Sequence, residues 1–310
     1  ESVTTDIINV GATKEITARG TYNRTARAVK TVLTVDPSSA GFAYAVQVGN
    51  GGIEMENNSE INGTVYSNGS ITGKNSPIIN GDATSGGTIG NPPSVTGTRT
   101  ENAPILAMPI SDSVITDWET QAAAGGTISS PCPYEPTNGA SLGQKKITCD
   151  LIIDDKTVTL TGPLWVTGNI DIKNNAIVQL ASSYAAASEV IIADNLSDRI
   201  TSSKIVVQNN ASVTGSGTAG SYVLLISQNN SAELGGNEIA IEPKNNSDAP
   251  VYYAPHGKML IQNNTILKEA TAYAFHMQNN AVLTYNTNLS SITFPSSSGG
   301  LKINSWREVE

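Results

Sequence analysis

Five carboxylates, Asp154, Asp155, Asp171, Asp194 and Asp198, have the spacing to act together in this chain of 310 residues. Glycoside cleavage needs two such groups flanking the scissile bond, and polysaccharide lyases add basic residues with bound Ca²⁺. If the chain repeats every 20 residues, Asp154 and Asp194 fall on one side, two repeats apart. Against chemistry stands a simpler role, since Asp supports tight turns by bonding its own backbone. The run "DNLSD" from Asp194 to Asp198 clusters oxygens that Ca²⁺ accepts. It lacks the glycine and distal glutamate of an EF-hand loop, so Asp194 and Asp198 are only a weak metal candidate and an Asx-type turn is preferred. The expectation is no catalytic residue, no bound metal and no cofactor, with a polysaccharide-active enzyme as the alternative.

His256 and His276 are the only histidines and recur in "YAPH" and "YAFH", 20 residues apart. That spacing predicts two imidazoles stacked on adjacent repeats. No third ligand is visible, so a structural pair is preferred to a metal site. Trp165, Tyr252, Tyr253, Tyr273 and Trp306 are candidates for a sugar-stacking platform, although aromatics in strands more often fill a core. Trp306 is expected to cover the open end of the last repeat. Cys132 and Cys149 bracket a loop without CxxC spacing or nearby histidine, which favours a local disulfide in an exported protein over metal binding.

These residues must be positioned by the elements around them, and a repeated phrase identifies those elements. "VQNNASV", "SQNNSAE", "IQNNTIL" and "MQNNAVL" share one template, and Asn pairs stand at Asn57/Asn58, Asn174/Asn175, Asn209/Asn210, Asn229/Asn230, Asn245/Asn246, Asn263/Asn264 and Asn279/Asn280. From Asn209 onward the steps are 20, 16, 18 and 16 residues. Asp154-Asp155, Asp194-Asn195 and Lys74-Asn75 fill gaps in the rhythm. Asn and Asp tolerate the left-handed conformation that a sharp corner requires. A period of this length, rich in Val, Ile, Thr and Gly and without helical periodicity, is one coil of a β-solenoid. Stacked corners would let the amides bond along the axis as an Asn ladder. The predicted fold is all-β, a right-handed parallel β-helix with coils of about 16–20 residues.

Two stretches break the rhythm. Residues 1–40, with "KEITARGTYNRTARAV", read as a small antiparallel strand element around a turn. "SDSVITDWETQAAAGG" reads as a helix capped at Ser111 or Asp112 and ended by Gly125. The expected division is therefore 1–40 as a cap or donated strand, 41–98 as first coils, 99–150 as an inserted helix and disulfide loop, and 151–310 as the main β-helix.

Composition narrows function. A formal net charge of −9 leaves no basic footprint for nucleic acid, and no run approaches the ~18 apolar residues of a membrane span. "FAYAVQVGNGGIEMENNSEINGTVYSNGSITG" (42–73), the "WETQAAAGG" helix, "GPLWVTGNIDIKNN" (162–175) and the terminal "SWREVE" resemble PilX-type, pilus-associated bacterial surface proteins. The resemblance implies a cell-surface location, a β-helical passenger, membrane attachment only through a segment outside this sequence, and no catalytic residues. The function expected is structural or adhesive, with self-association into a filament or array. A surface glycan or host-cell ligand is the other partner to consider.

Overall fold

The computed structural model describes residues 2–10, 13–22, 25–35, 42–249, 251–263, 265–292, 294 and 301–309. Two architectures share the chain. Strands Ser2–Val10, Thr13–Tyr22, Thr25–Val35 and Leu301–Val309 form one antiparallel sheet in that order. The C-terminal strand therefore adds no coil to the β-helix, contrary to the span 151–310 expected for it. Trp306 is 70% exposed in this sheet, so it does not close the solenoid.

The rest is built from short parallel strands on three faces. One coil shows the rule: Leu164–Val166 lies on face 1, Ile170–Lys173 on face 2 and Ile177–Leu180 on face 3. Period-two alternation turns Leu164, Val166, Ile170, Ile172, Val178 and Leu180 inward, where all are buried. Gly168 turns the chain from face 1 to face 2, where a Cβ would stand 2.4 Å from the Asp150 carboxylate. Asn174 and Asn175 turn it from face 2 to face 3, both with left-handed φ, 56° and 62°.

Chain order and spatial order differ. The strand Val46–Glu56 starts in mid-solenoid, and Val65–Ser67, Ala83–Ser85 and Arg99–Thr100 stack outward from it to one end. Residues 101–126 then leave the stack, and coiling resumes at the opposite end with Thr127–Ile128. From there the coils advance to Glu269–Met277, which pairs in parallel with Val46–Glu56. The last coil thus sits directly on the first. Among the described residues, face 1 carries eleven strands across this seam. One inward column on face 2 runs Leu151, Ile170, Ile205, Ile241, Met259, Phe275, Ile53, Ile71 and Ile89 without a break. Burying each such side chain contributes ~1.5–3 kcal/mol, so the seam is packed like any other junction.

The helix α1, Asp112–Ala124, has Ser111 as N-cap and Gly125 as C-cap. It buries Ile115, Trp118 and Ala122 in a second core with the outward side chains Trp165, Val190, Ile192, Leu224 and Ile226 of face 1. Beside α1, face 1 is therefore apolar on both sides, which is why "VIIA" and "VLLI" are unbroken apolar runs. Residues 127–147 are not part of an insertion beside α1, because Thr127–Ile128, Ala140–Leu142 and Lys145–Ile147 pair as coil strands. Cys132 and Cys149 form a disulfide there, with Cα atoms 5.9 Å apart.

Candidate functional site

Face 1 is covered and face 2 carries charge, which leaves face 3 as the open surface. Its outward positions form two columns. Ser141, Thr159, Gln179 and Thr214 are in register along one half, and Thr284, Asn62 and Asn80 along the other. Beside them run Thr157, Ile177 and Ser212, then Val282, Glu60, Ile78 and Ser94. Strand geometry sets the rows ~4.8 Å apart along the axis and the columns ~6.6 Å apart. Neighbours hold one another in place: Asn80 donates to Asn62 at 2.9 Å and to Glu60 at 2.8 Å, and Asn62 donates to Thr284 at 3.4 Å. The outer face is thus a sheet of hydroxyls, amides and methyls with little charge. The segment Gly215–Ser221 rises at its edge and makes a groove of about 820 Å³, lined by Thr159, Gln179, Thr214, Ser216, Tyr222 and Lys268.

A run of side-chain hydrogen bonds stands at the corner between faces 2 and 3. Asn174 donates to Asp154 (2.8 Å), Asn209 to Asn174 (3.0 Å), Asn245 to Asn209 (3.0 Å), Asn263 to Asn245 (3.2 Å) and Asn279 to Asn263 (3.5 Å). The run crosses the seam, where Asn57 donates to Asn279 (3.0 Å) and Asn75 to Asn57 (2.8 Å). In the outer positions Asn210 donates to Asn175 and Asn246 to Asn210. Asn58 and Asn280 also have left-handed φ, while Asn264 lies outside the described residues. Asn229 and Asn230 are elsewhere. Asn229 is buried in the loop after the face 1 strand Val223–Ser227 and donates to the carbonyls of Ile200 (2.9 Å) and Ser202 (2.7 Å). Its phrase is the same, but it follows a different face.

The carboxylates do not converge. Asp154 accepts from Asn174 and Asp155 is a left-handed corner residue. Asp171 accepts from Lys173 and Gln208. Asp194 is fully buried on the other side and takes two bonds from Arg199, at 2.5 and 2.7 Å. Asp198 caps its own turn by accepting from Ile200 and Thr201. The oxygens of Asp194 and Asp198 are thus engaged by separate sets of the protein's own donors. Burial, with the Asp194 carboxylate beside it, pushes Glu119 of α1 up to about 9.

Of the aromatic candidates, Trp165, Tyr252 and Tyr253 are withdrawn from the surface, while Tyr273 is half-buried at the edge of a cavity of about 450 Å³. Trp165 lies under Lys146 and donates Nε1 to the Asp194 carbonyl, Tyr252 is in the solenoid core, and Tyr253 is covered by Ile110.

The two histidines are not stacked. Ala254 pairs with Ala272 but Lys258 pairs with Ala274, so two extra residues bulge at the earlier corner and His276 falls opposite Leu260. His256 bridges Glu233 (2.6 Å) and Asp112 at the start of α1 (3.0 Å). Burial lowers its pKa, but the two carboxylates outweigh burial and raise it overall.

His276 has what the spacing did not reveal. It pairs with Glu54 across the seam, its Nδ1 is 3.9 Å from Glu54 and its Nε2 3.7 Å from Glu56. Lys74 reaches the far oxygens of both glutamates, at 3.5 and 2.9 Å. A signal was present in the sequence. "IEMENN" (53–58) and "FHMQNN" (275–280) are one phrase, apolar-x-Met-x-Asn-Asn, which assigns Glu54 and His276 the same coil position.

No protein-family model matches the chain, and no curated protein matches it. Among solved structures, an ice-binding protein from an Antarctic biological consortium is similar at 14% identity and a TM-score of 0.41, over 79% of this chain and 87% of that one. An ice-binding protein from the Antarctic ascomycete Antarctomyces psychrotrophicus is similar at 13% identity and a TM-score of 0.31, over 82% and 98%.

Proposed function

We propose that the protein is an extracellular surface-binding module, a right-handed β-helix whose third face adsorbs to an extended, uncharged lattice of hydroxyl groups, with an ice face as the occupant. The observation that carries this reading is the paired columns Ser141–Thr159–Gln179–Thr214 and Thr284–Asn62–Asn80, in register on paired strands and exposed except for the half-buried Thr159 and Asn62. Such an array loses little conformational entropy on binding, because its side chains are already ordered by the strands and by one another. Methyl groups of Thr, Ile and Val beside hydroxyls suit a surface of ordered water better than a charged polymer. Among the described residues no helix is long and apolar enough to cross a membrane.

The test is partition of purified protein into a slowly growing ice hemisphere, comparing wild type with Thr159→Tyr, Thr214→Tyr and Thr284→Tyr combined. Incorporation lost in the variant, with unchanged circular dichroism, is the expected result. Exclusion of the wild type from ice refutes the ice reading, and a parallel pull-down on crystalline cellulose and chitin shows whether a polysaccharide lattice replaces it.

Filament assembly is a second reading, favoured by the terminal sheet. Its edge strands Ser2–Val10 and Leu301–Val309 have no further partner strand among the described residues, and Val3, Ile8 and Trp306 are exposed there. Edge-to-edge pairing between copies would continue the sheet. Electron microscopy of the full chain and of a chain lacking residues 1–36 tests it, and filaments unchanged by the deletion count against it.

A further inference from the structure

We propose that Glu54, Glu56 and His276 form a binding site for one divalent transition-metal ion of the Zn²⁺ class, which clamps the seam between the first and last coils. One ligand atom from each residue lies within 4.8 Å of the other two. The set is one imidazole and two carboxylates, a donor set that suits Zn²⁺ and its neighbours better than Ca²⁺ or Mg²⁺, which take oxygen alone. The separations of 3.7 and 3.9 Å between ring nitrogens and carboxylate oxygens are too long for hydrogen bonds. The 3.7 Å from Nε2 to Glu56 is close to the roughly 3.3 Å that separates two ligands bonded at ~2.0–2.1 Å to one tetrahedral ion, whereas the 3.9 Å contact of Glu54 is to the other ring nitrogen, so Glu54 joins the same ion only as part of the set whose ligand atoms lie within 4.8 Å.

A second observation points to a ligand. His276 Nε2 is buried and has no hydrogen-bond partner, an arrangement that costs free energy unless something occupies it. The oxygens are also divided in a way that leaves room. Lys74 takes Oε1 of Glu54 and Glu56, while Oε2 of each faces the imidazole. Two carboxylates and one ammonium leave a net negative site for a neutral imidazole to complete. Lys74 is 67% exposed on a flexible stem and can swing to solvent. The backbone frame is rigid, because His276 opposite Glu54 is flanked by the buried pairs Phe275–Ile53 and Met277–Met55.

The consequence is specific to this topology. The ligands come from opposite ends of the coil sequence, so the site exists only when the N-terminal coils are docked on the C-terminal ones. An ion held there stabilises that docked state by mass action.

The full chain, stripped with a chelator and titrated with Zn²⁺ alone by calorimetry and in thermal melts, tests this. One ion per chain and a rise in Tm are expected, and Co²⁺ in its place should give the visible absorption of a low-coordinate site. His276→Gln and Glu56→Gln should weaken binding by about 100-fold or more, a loss at or above that usual for outer-shell partners. Lys74→Met, which removes the competing ammonium, should tighten it severalfold. His256→Gln should leave it unchanged. Absence of saturable binding, or binding untouched by His276→Gln, overturns the proposal. If His276→Gln fails to fold, Lys74→Met decides, and Zn²⁺ affinity that does not rise in that variant also overturns it. The site lies on face 2, so the ice test on face 3 succeeds or fails independently.

Discussion

Asn209 sits in the middle of the corner column and offers a test of why this chain repeats asparagine. Its side chain donates to Asn174 and accepts from Asn245, both at 3.0 Å, and its backbone is left-handed with φ 56°. Replacing it with Ala removes two hydrogen bonds worth ~0.5–1.5 kcal/mol each and substitutes, for a residue whose polar side chain eases the left-handed region, one that pays its full steric cost of ~1–2 kcal/mol. The corner is half-buried, so water replaces part of what is lost. A net cost of about 2–3 kcal/mol is expected for Asn209→Ala. Asn209→Gly loses the same bonds without the conformational penalty and should cost about 1 kcal/mol less. In urea unfolding followed by circular dichroism, the Ala variant should shift the midpoint by on the order of half a molar to one molar. Asn229, in the same "QNN" phrase, is the control. It is buried, has no left-handed φ and bonds two carbonyls, so Asn229→Gly should gain nothing over Asn229→Ala. The reasoning is refuted if Gly is no better than Ala at position 209, or if Gly rescues equally at 229.

Three further outcomes follow from the electrostatics and the disulfide. Glu189 is 5% exposed and burial pushes it up to about 7 from 4.5; a raised acid favours folding only while protonated, so stability should fall by about 3 kcal/mol as pH rises from 4.5 to 7. Glu189→Gln should remove that dependence in urea titrations at pH 4 and 8. His256 is raised by Asp112 and Glu233, so its stabilisation is complete below the ordinary histidine value of 6.5 and lost as pH climbs through the higher folded value; the Tm gap between wild type and His256→Gln should close over that window. Reducing Cys132–Cys149, which closes a 17-residue separation, should cost about 3 kcal/mol and open the lowest coil to limited proteolysis between 131 and 139 before the rest of the chain.

Much of this molecule was legible in one dimension because its forces are local and repeated. The Asn-Asn corners, the alternation of inward Ile and Val, the hairpin of Thr13–Tyr22 with Thr25–Val35, and the limits of α1 all follow from what neighbouring residues need. A corner must tolerate positive φ, a strand must hide alternate side chains, and a helix must be capped. Stacking such coils into parallel sheets needs no further information, since each coil offers the next the same unpaired edge.

What the sequence could not show is which coil lies on which. Coil strands are interchangeable in pattern, so nothing local says that Val46–Glu56 docks on Glu269–Met277 while residues 101–126 leave the stack. Loop lengths decide that, together with the apolar outer side of face 1, which must be covered by α1. The same long-range choice separated His256 from His276, sent the identical phrase at Asn229 into a buried loop, and scattered Asp154, Asp171 and Asp194. It also brought Glu54 and Glu56 to His276. Local chemistry fixes the coil, whereas the meeting of residues more than 200 positions apart depends on how the finished coils pack.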